Sequence, residues 1–592
     1  MTRKTALVVW LAGLLAGVAC STSSGSNGEI AEAVGDTGDL GVAPDVVDSG
    51  DNGEEIVPDV SAGADLPEPD EAGEGGATET ETGDADVALP PAGCDFESPD
   101  HTVGVRVCKP GASNGYLLYP VKHLPDVFLI DPLGRVVNHW AKSKYEPGQS
   151  CYLRPNGNLV RTAMPKGNFS IGGGEGGRLE EYDWDDNLVW AFDFASPTGM
   201  THHDFTILPN GNLLMLAVEK KEKEAAAAVG FDPAKLKEGY VAPEMVIEVK
   251  MTGSATYEIV WEWHVWDHLV QKANASLANY GDPKQHPELL EVTGSPPAFW
   301  NHANSIKYSA ELDQIIISAR SHNEFWVIDH TTTTEEAASH QGGKQGKGGD
   351  LLYRWGNPAN YGGGTKDDMM LFQQHDAQWI ESGCPGAGDI LVFNNGLSRP
   401  DGAYSTIDQL TPPVAEDGSY PVPALGQPWG PSELSWQYKA EPPTSFYSAE
   451  ISGAQRLPDG NTLVCEGLTG RLFEVTPEGQ IVWEFVNPVA NNGPMSQYEL
   501  APLDVKSHPE NAVFKGHWYP PDFAGFAGRD LTPGDVIEDD DTTCPAADNV
   551  NYTCAAVCPT GSEDVADHFT CAEAGKTCCF KLVQGEQPPP KP

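Results

Sequence analysis

FWNHANSIKYSAELDQIIISARSH, spanning Phe299–His322, decides how the chain is read. Asn304–Tyr308 and Gln314–Ser318 read as two strands around the polar turn Ser309–Asp313. Ile315-Ile316-Ile317 is an unbroken apolar run, the pattern of a strand buried on both faces. In an antiparallel hairpin, positions equidistant from the turn end up opposite each other. Glu311 lies midway between His302 and Arg320, so these two are expected to meet at the open end of one hairpin. A titratable donor beside a permanently charged fork makes an anion site. The plainer alternative is a pair of solvated strand-end residues.

Working outward, the same kind of unit recurs. LRPNGNLVRT (Leu153–Thr162), ILPNGNLLML (Ile207–Leu216) and RLPDGNTLVC (Arg456–Cys465) each read as strand, tight turn and strand. Asn-Gly and Asp-Gly supply the positive φ that such turns need. Alternating strands ending in tryptophan follow, as in the stretches closing at Trp140, Trp190 and Trp483. Similar pieces end at Trp261, Trp355 and Trp436. Insertions interrupt the series at Glu219–Ala242, which reads as helical, at Thr331–Gly349 and at Pro400–Pro431. Repeats of roughly 40–50 residues with four strands each predict a six-bladed β-propeller, with a β-sandwich array as the rival. In a propeller, strand entries from different blades converge on one face.

Three units open with histidine just before a strand: Thr201-His202-His203-Asp204-Phe205, Trp300-Asn301-His302-Ala303-Asn304 and Gln373-Gln374-His375-Asp376-Ala377. On a propeller, His203, His302, His375 and Arg320 would share one channel mouth. Transfer of an anionic group fits them, with imidazole as nucleophile or acid–base and guanidinium as a bidentate grip. A histidine metal site is a second reading, opposed by the arginine. Strand-end residues satisfying backbone groups are the third.

The ends of the chain are of another kind. Met1–Cys20 reads as a secretory leader, with Arg3 and Lys4 before the apolar run Ala6–Ala19. Small residues before Cys20 resemble a bacterial lipoprotein site, with Cys20 lipidated and the protein held at the cell envelope; ordinary secretion is the alternative. Residues 21–93 read as a disordered acidic tether that carries much of the net charge of −50 on the 592 residues. No basic stripe points to nucleic acid, and no later segment is apolar enough to span a membrane. The propeller is expected over 94–531, an acidic linker over 532–543, a cysteine-rich module over 544–580 and a tail to 592. Cys544, Cys554, Cys558, Cys571, Cys578 and Cys579 imply three disulfides in a defensin-like spacing, with a zinc cluster as rival. Cys94 and Cys108 flank a short loop and are candidates to pair. Cys151, Cys384 and Cys465 are left over.

The pieces HHDF, WNHANSI, ISARSH, QQHDAQW and FNNGLSR, with the closing AVFKGHWYPPDFAGFAGRDL, together resemble the bacterial arylsulfotransferases from about Gly115 to Leu531. That resemblance implies a secreted six-bladed propeller moving a sulfuryl group from a phenolic sulfate donor to a phenolic acceptor. It implies no cofactor, no metal and no nucleotide donor, and no nucleotide phosphate loop is present. His375 matches the family's transiently sulfated histidine; His203, His302 and Arg320 match its sulfate-binding and acid–base positions. Asn304 in WNHANSI and Arg399 in FNNGLSR are further substrate-binding candidates on the same ground. Two positions depart from the family: Phe299, where an acidic residue is frequent, and Asn394, where an aspartate is. A surface propeller that binds a sulfated or anionic ligand without catalysis is the alternative from another functional class.

Overall fold

The apolar run Ile315–Ile317 is fully buried because its strand is flanked on both sides. Ile315 and Ile317 pack with Leu214, Leu216 and Val246 of the preceding unit, while Ile316 packs with Phe325, Ile390 and Val392. Each such side chain contributes about 1.5–3 kcal/mol by leaving water. A computed structural model describes residues 91 and 93–539 save 166–169 and 293–295, and, in the cysteine-rich segment, 552–556, 558, 562–564, 569, 571 and 576–581. The leader, Cys20, nearly all of the tether, and Cys544 lie outside these residues.

The expected hairpin is present as Ala303–Ser309 paired with Gln314–Ala319, and the Arg320 amide donates to the His302 carbonyl at 3.1 Å. Glu324–Asp329 and Tyr353–Trp355 complete a four-stranded antiparallel sheet. His375–Trp379, Ile390–Asn394, Thr406–Leu410 and Trp436–Tyr438 form another. A third joins distant parts of the chain, with His517–Tyr519 pairing beside Tyr116–Pro120, then Val127–Ile130 and Val136–Trp140. The protein is therefore all-β and propeller-like.

The expectation of a six-bladed propeller is corrected: among the described residues the arrangement is propeller-like but does not divide into six blades. Only the three sheets above stand alone with four strands; the other large sheets have six and nine. In the nine-stranded sheet, the meanders beginning at Pro147–Leu153 and Gly199–Ile207 are fused by a parallel pairing of His203 with Gln149. In the six-stranded sheet, Gly104–Cys108 and Phe96–Glu97 extend the edge of Ile481–Val486. Neighbouring inner strands approach closely enough to pair, and an N-terminal segment covers an open edge.

The recurring tryptophans have a common task. Indole N–H groups reach from an outer strand into a turn of the next unit: Trp140 to Asp183 O (2.8 Å), Trp355 to Pro431 O (2.8 Å), Trp483 to Pro132 O (2.8 Å). The Glu219–Ala242 insertion is less helical than expected, with one α-helix, Lys223–Ala228, and a short 3-10 turn, Pro233–Lys235. Residues 532–539 are not a free linker, since the Val136 amide donates to Asp535 O and Gly534 donates to Val136 O. Cys94–Cys108, Cys554–Cys571 and Cys558–Cys579 are disulfides, and Cys578 is also disulfide-bonded. Cys151, Cys384 and Cys465 are free. Tyr552, Phe569 and Cys578 pack against Tyr498 and Leu500, which seats the cysteine-rich module on the β-domain. Among the described residues no helix is long and apolar enough to cross a membrane.

At the centre, Lys515 Nζ donates to Asp204 Oδ2 (2.8 Å) and Asp376 Oδ1 (2.9 Å), all three groups being buried. Burial alone would lower the lysine's pKa, but the two carboxylates outweigh it and raise it to about 12. Lys515→Met strands two carboxylates in the interior and should cost about 3–5 kcal/mol. Urea unfolding of the variant measures this, and a loss well under about 1 kcal/mol would contradict the role given to Lys515.

Candidate active site

Each site histidine sits beside a residue that folds inward. Asp204 and Asp376 go to Lys515, while His203 and His375 line a cavity of about 280 Å³. His302 and Arg320 line the same cavity, so the structure brings all four expected residues together. The His203 and His302 ring centroids are 5.1 Å apart. Both residues have φ of 49°, a left-handed conformation rare outside glycine and frequent at functional sites.

His203 is held from behind. Its Nδ1 lies 2.9 Å from His202 Nδ1, and His202 Nε2 lies 2.7 Å from Glu244 Oε2. Glu244 Oε1 in turn accepts from the Ala303 amide at 2.7 Å. With neutral His202 donating Nε2–H to the carboxylate, its Nδ1 accepts from His203, whose Nε2 keeps a lone pair. The loop Gly172–Gly174 closes over this ring: a Cβ on Gly174 would fall within 2.0 Å of His203 Nε2.

His375 is fixed in the same sense. Asn395 donates its amide N–H groups to Ser448 O (2.7 Å) and Ser452 Oγ (3.0 Å). Asn395 Oδ1 therefore faces His375 Nδ1, 2.8 Å away, and must accept from it. A neutral His375 then carries its proton on Nδ1 and its lone pair on Nε2. Burial, with Arg320 beside it, lowers its pKa to about 3. Burial likewise holds His302 and His203 well below the ordinary range, helped by Arg320 for the first and by His302 for the second. The guanidinium of Arg320 is itself partly destabilised by burial and supported by Glu450. Lys122 and Lys506 add positive charge at the rim.

Phe299 stacks on His302 with ring centroids 4.5 Å apart, and on His203 at 6.1 Å. Asn304 does not line the cavity; its Nδ2 donates to Gln374 O at 2.8 Å, holding the residue before His375. Arg399 is not among the residues lining this cavity. Its guanidinium lies over the Tyr404 and Phe372 rings and donates to Thr406 Oγ1. Asn394 is likewise outside the cavity, donating to Met370 O and Asp408. Sequence reasoning missed His202, Glu244 and Asn395. A bulge between Thr201 and Phe205 breaks strand alternation, so adjacent histidines reach one network.

These features define a class: an all-β, propeller-like protein whose pocket joins fixed positive charge to neutral, oriented imidazoles. A family model described as Arylsulfotransferase (ASST) matches residues 116–501, and the chain belongs to that family. None of the curated proteins matches it. Faint structural likenesses include a protein of unknown function from Bacteroides caccae, at 11% identity and TM-score 0.34, over 68% of this chain and 98% of that one. A virginiamycin B lyase from Staphylococcus aureus aligns at 8% identity and TM-score 0.30, over 65% and 88%. Apo AztD from Citrobacter koseri aligns at 8% identity and TM-score 0.31, over 69% and 99%. Likenesses this slight carry no argument about chemistry.

The buried neutral histidines have a consequence for stability. His203, His302, His322, His375 and His517 all have folded pKa values depressed by burial. Below about pH 6.5 the unfolded chain binds protons at these positions that the folded chain refuses, so stability is full above that pH and falls below it. Each such histidine should cost about 1.4 kcal/mol per pH unit until its folded pKa is reached. Urea midpoints should drop steeply between about pH 7 and pH 5. A flat profile there would show that these imidazoles are not held neutral.

Proposed function

We propose that the protein transfers a sulfuryl group from a phenolic sulfate ester to a phenolic acceptor through His375, without a nucleotide donor. The observation that carries this reading is the Asn395–His375 hydrogen bond at 2.8 Å, which leaves Nε2 as the lone-pair nitrogen of an imidazole kept neutral beside Arg320. His375 Nε2 attacks sulfur, the N–S bond forms, and the S–O bond to the aryl group breaks. The phenolate departs as the anion and is protonated by solvent. In the second half, the acceptor phenol gives up its proton and its oxygen displaces the imidazole.

His203 is assigned the acceptor's proton, because its Nε2 keeps a lone pair and His202 and Glu244 behind it can share the charge of the ring once protonated. Arg320 and His302 are assigned the sulfonate oxygens. Sulfuryl transfer spreads negative charge over those oxygens, so positioned positive groups do most of the catalytic work. Membership of the arylsulfotransferase family supports the reaction class. Lipidation at Cys20 would hold the domain at the cell envelope by the long acidic tether.

His375→Asn should reduce transfer by at least about 10³-fold with an unchanged urea midpoint, since asparagine cannot form the covalent intermediate. Arg320→Ala should weaken donor binding and turnover together, by about 10²–10³-fold in kcat/KM. Single turnover with a labelled donor should place label on the peptide holding His375. Label on His203 or His302 would reassign the nucleophile. No transfer or hydrolysis across a broad aryl sulfate panel would favour a binding propeller instead.

A further inference from the structure

A further histidine cluster lies away from the catalytic cavity, beside a lining with acidic residues but no lysine or arginine among those described. His268 follows the strand Tyr257–His264 and the 3-10 turn Val265–Asp267. His340 and Asp350 bracket a glycine-rich loop, HQGGKQGKGGD, inserted before the strand Tyr353–Trp355. We propose that His268, His340 and Asp350 bind a divalent transition metal, with Zn²⁺ the best fit, and that the ion pins this loop to the sheet.

The hydrogen bonding of His268 carries the argument. Its Nε2 lies 2.9 Å from the Ala337 carbonyl, which can only accept, so Nε2 carries a proton. A neutral ring would then present a lone pair on Nδ1 to Asp350 Oδ1 at 2.8 Å, acceptor against acceptor, whereas an imidazolium would pair with it. His340 Nδ1 lies 2.7 Å from the same oxygen. A cation between the three resolves the conflict. The ligand atoms all lie within 4.8 Å of one another. Small outward shifts place them at about 2.0–2.2 Å from one ion, with water in the remaining position. A ligating histidine that donates its other N–H to a backbone carbonyl is the usual outer arrangement of such sites. Trp263 stacks on His268 at 5.8 Å and 8°, fixing the ring.

Charge and donor type select the ion. Asp350 and His340 open on a cavity of about 620 Å³ that also carries Asp267, Glu288 and His286, and no lysine or arginine is among its described lining residues. The catalytic cavity holds Lys122, Arg320 and Lys506 beside Glu450 and Asp504. Two imidazole nitrogens with one carboxylate suit Zn²⁺ over Ca²⁺ or Mg²⁺, which take oxygen ligands. Burial of His268 and Asp350 and exposure of His340 suit a site that closes when the loop settles.

The test uses the full chain, stripped with chelator and then titrated with Zn²⁺ alone. One equivalent should be retained through gel filtration and should raise the Tm. Co²⁺ in its place should give the visible absorption of a tetrahedral ion. His340→Ala, at an exposed side chain, should fold normally, lose the retained metal and show no Tm response. Asp350→Asn should lose metal as well. Uptake below about a tenth of an equivalent by the native chain would leave an imidazolium–carboxylate pair and overturn the proposal. Retention of native uptake by His340→Ala would overturn it equally. Sulfuryl transfer is no part of the readout, so failure here is separable from failure of the catalytic reading.

Discussion

Lys515 holding Asp204 and Asp376 is the interaction on which the site depends. Each carboxylate is the immediate neighbour of a cavity histidine and also accepts from an adjoining strand: Ile306 N to Asp204 Oδ2 at 3.2 Å, Ala454 N to Asp376 Oδ2 at 3.2 Å. Tyr152 Oη donates to Asp204 and is itself within 2.7 Å of Lys307 Nζ. One buried ammonium thus fixes the heights of two strands at the axis. A buried charge network is stable only when every member is paired, and here each carboxylate has more than one donor. Rotating either strand to move its histidine would leave a charge unpaired, so the imidazoles inherit their placement from this network.

The same burial that makes the network costly to break also prepares the imidazoles. A histidine used as a nucleophile must be neutral, and one surrounded by cations in a dry pocket has no alternative. Asn395 and His202 then select which nitrogen carries the proton. Asn395 acts on direction and tautomer alone, and His202 fixes the direction of His203. The cations Arg320, Lys122 and Lys506 stand at the cavity wall and rim, with Glu450 and Asp504 among them. Neutral nitrogens at the centre and fixed cations around them suit a reaction in which an anionic group is gripped and attacked at once.

Much of this was legible in the sequence, for identifiable reasons. Ile315–Ile317 announced a strand covered on both faces, and the His302–Arg320 pairing followed from arithmetic about one turn. Asn-Gly turns and repeated tryptophans announced the meanders. The division into sheets was not legible, because it depends on whether neighbouring inner strands come close enough to pair, as His203 and Gln149 do. Arg399 misled because a motif gives chain neighbourhood and not direction; the side chain turns onto Tyr404. Asn395 and Glu244 were missed because their tasks are to hold other side chains, and nothing in their local sequence shows the partner. The bulge that lets His202 and His203 share one network leaves no periodic signal.

Phe299 and Asn394 are the two departures from the family pattern, and geometry separates them. Asn394 lies outside the cavity and ties the Phe372 amide to Asp408, so an amide there serves strand packing. Phe299 is different, because its ring lies against both His302 and His203. A carboxylate at that place would offset the charge of Arg320 and favour a protonated His302. A phenyl ring instead excludes water from the imidazole faces and leaves Arg320 unneutralised on that side. The orienting carboxylate of the cluster is then Glu244, acting through His202 at 2.7 Å. The cavity here accordingly has one carboxylate fewer than one with an acidic residue at that position. That is a condition under which a guanidinium grips a sulfonate harder and an imidazole stays neutral.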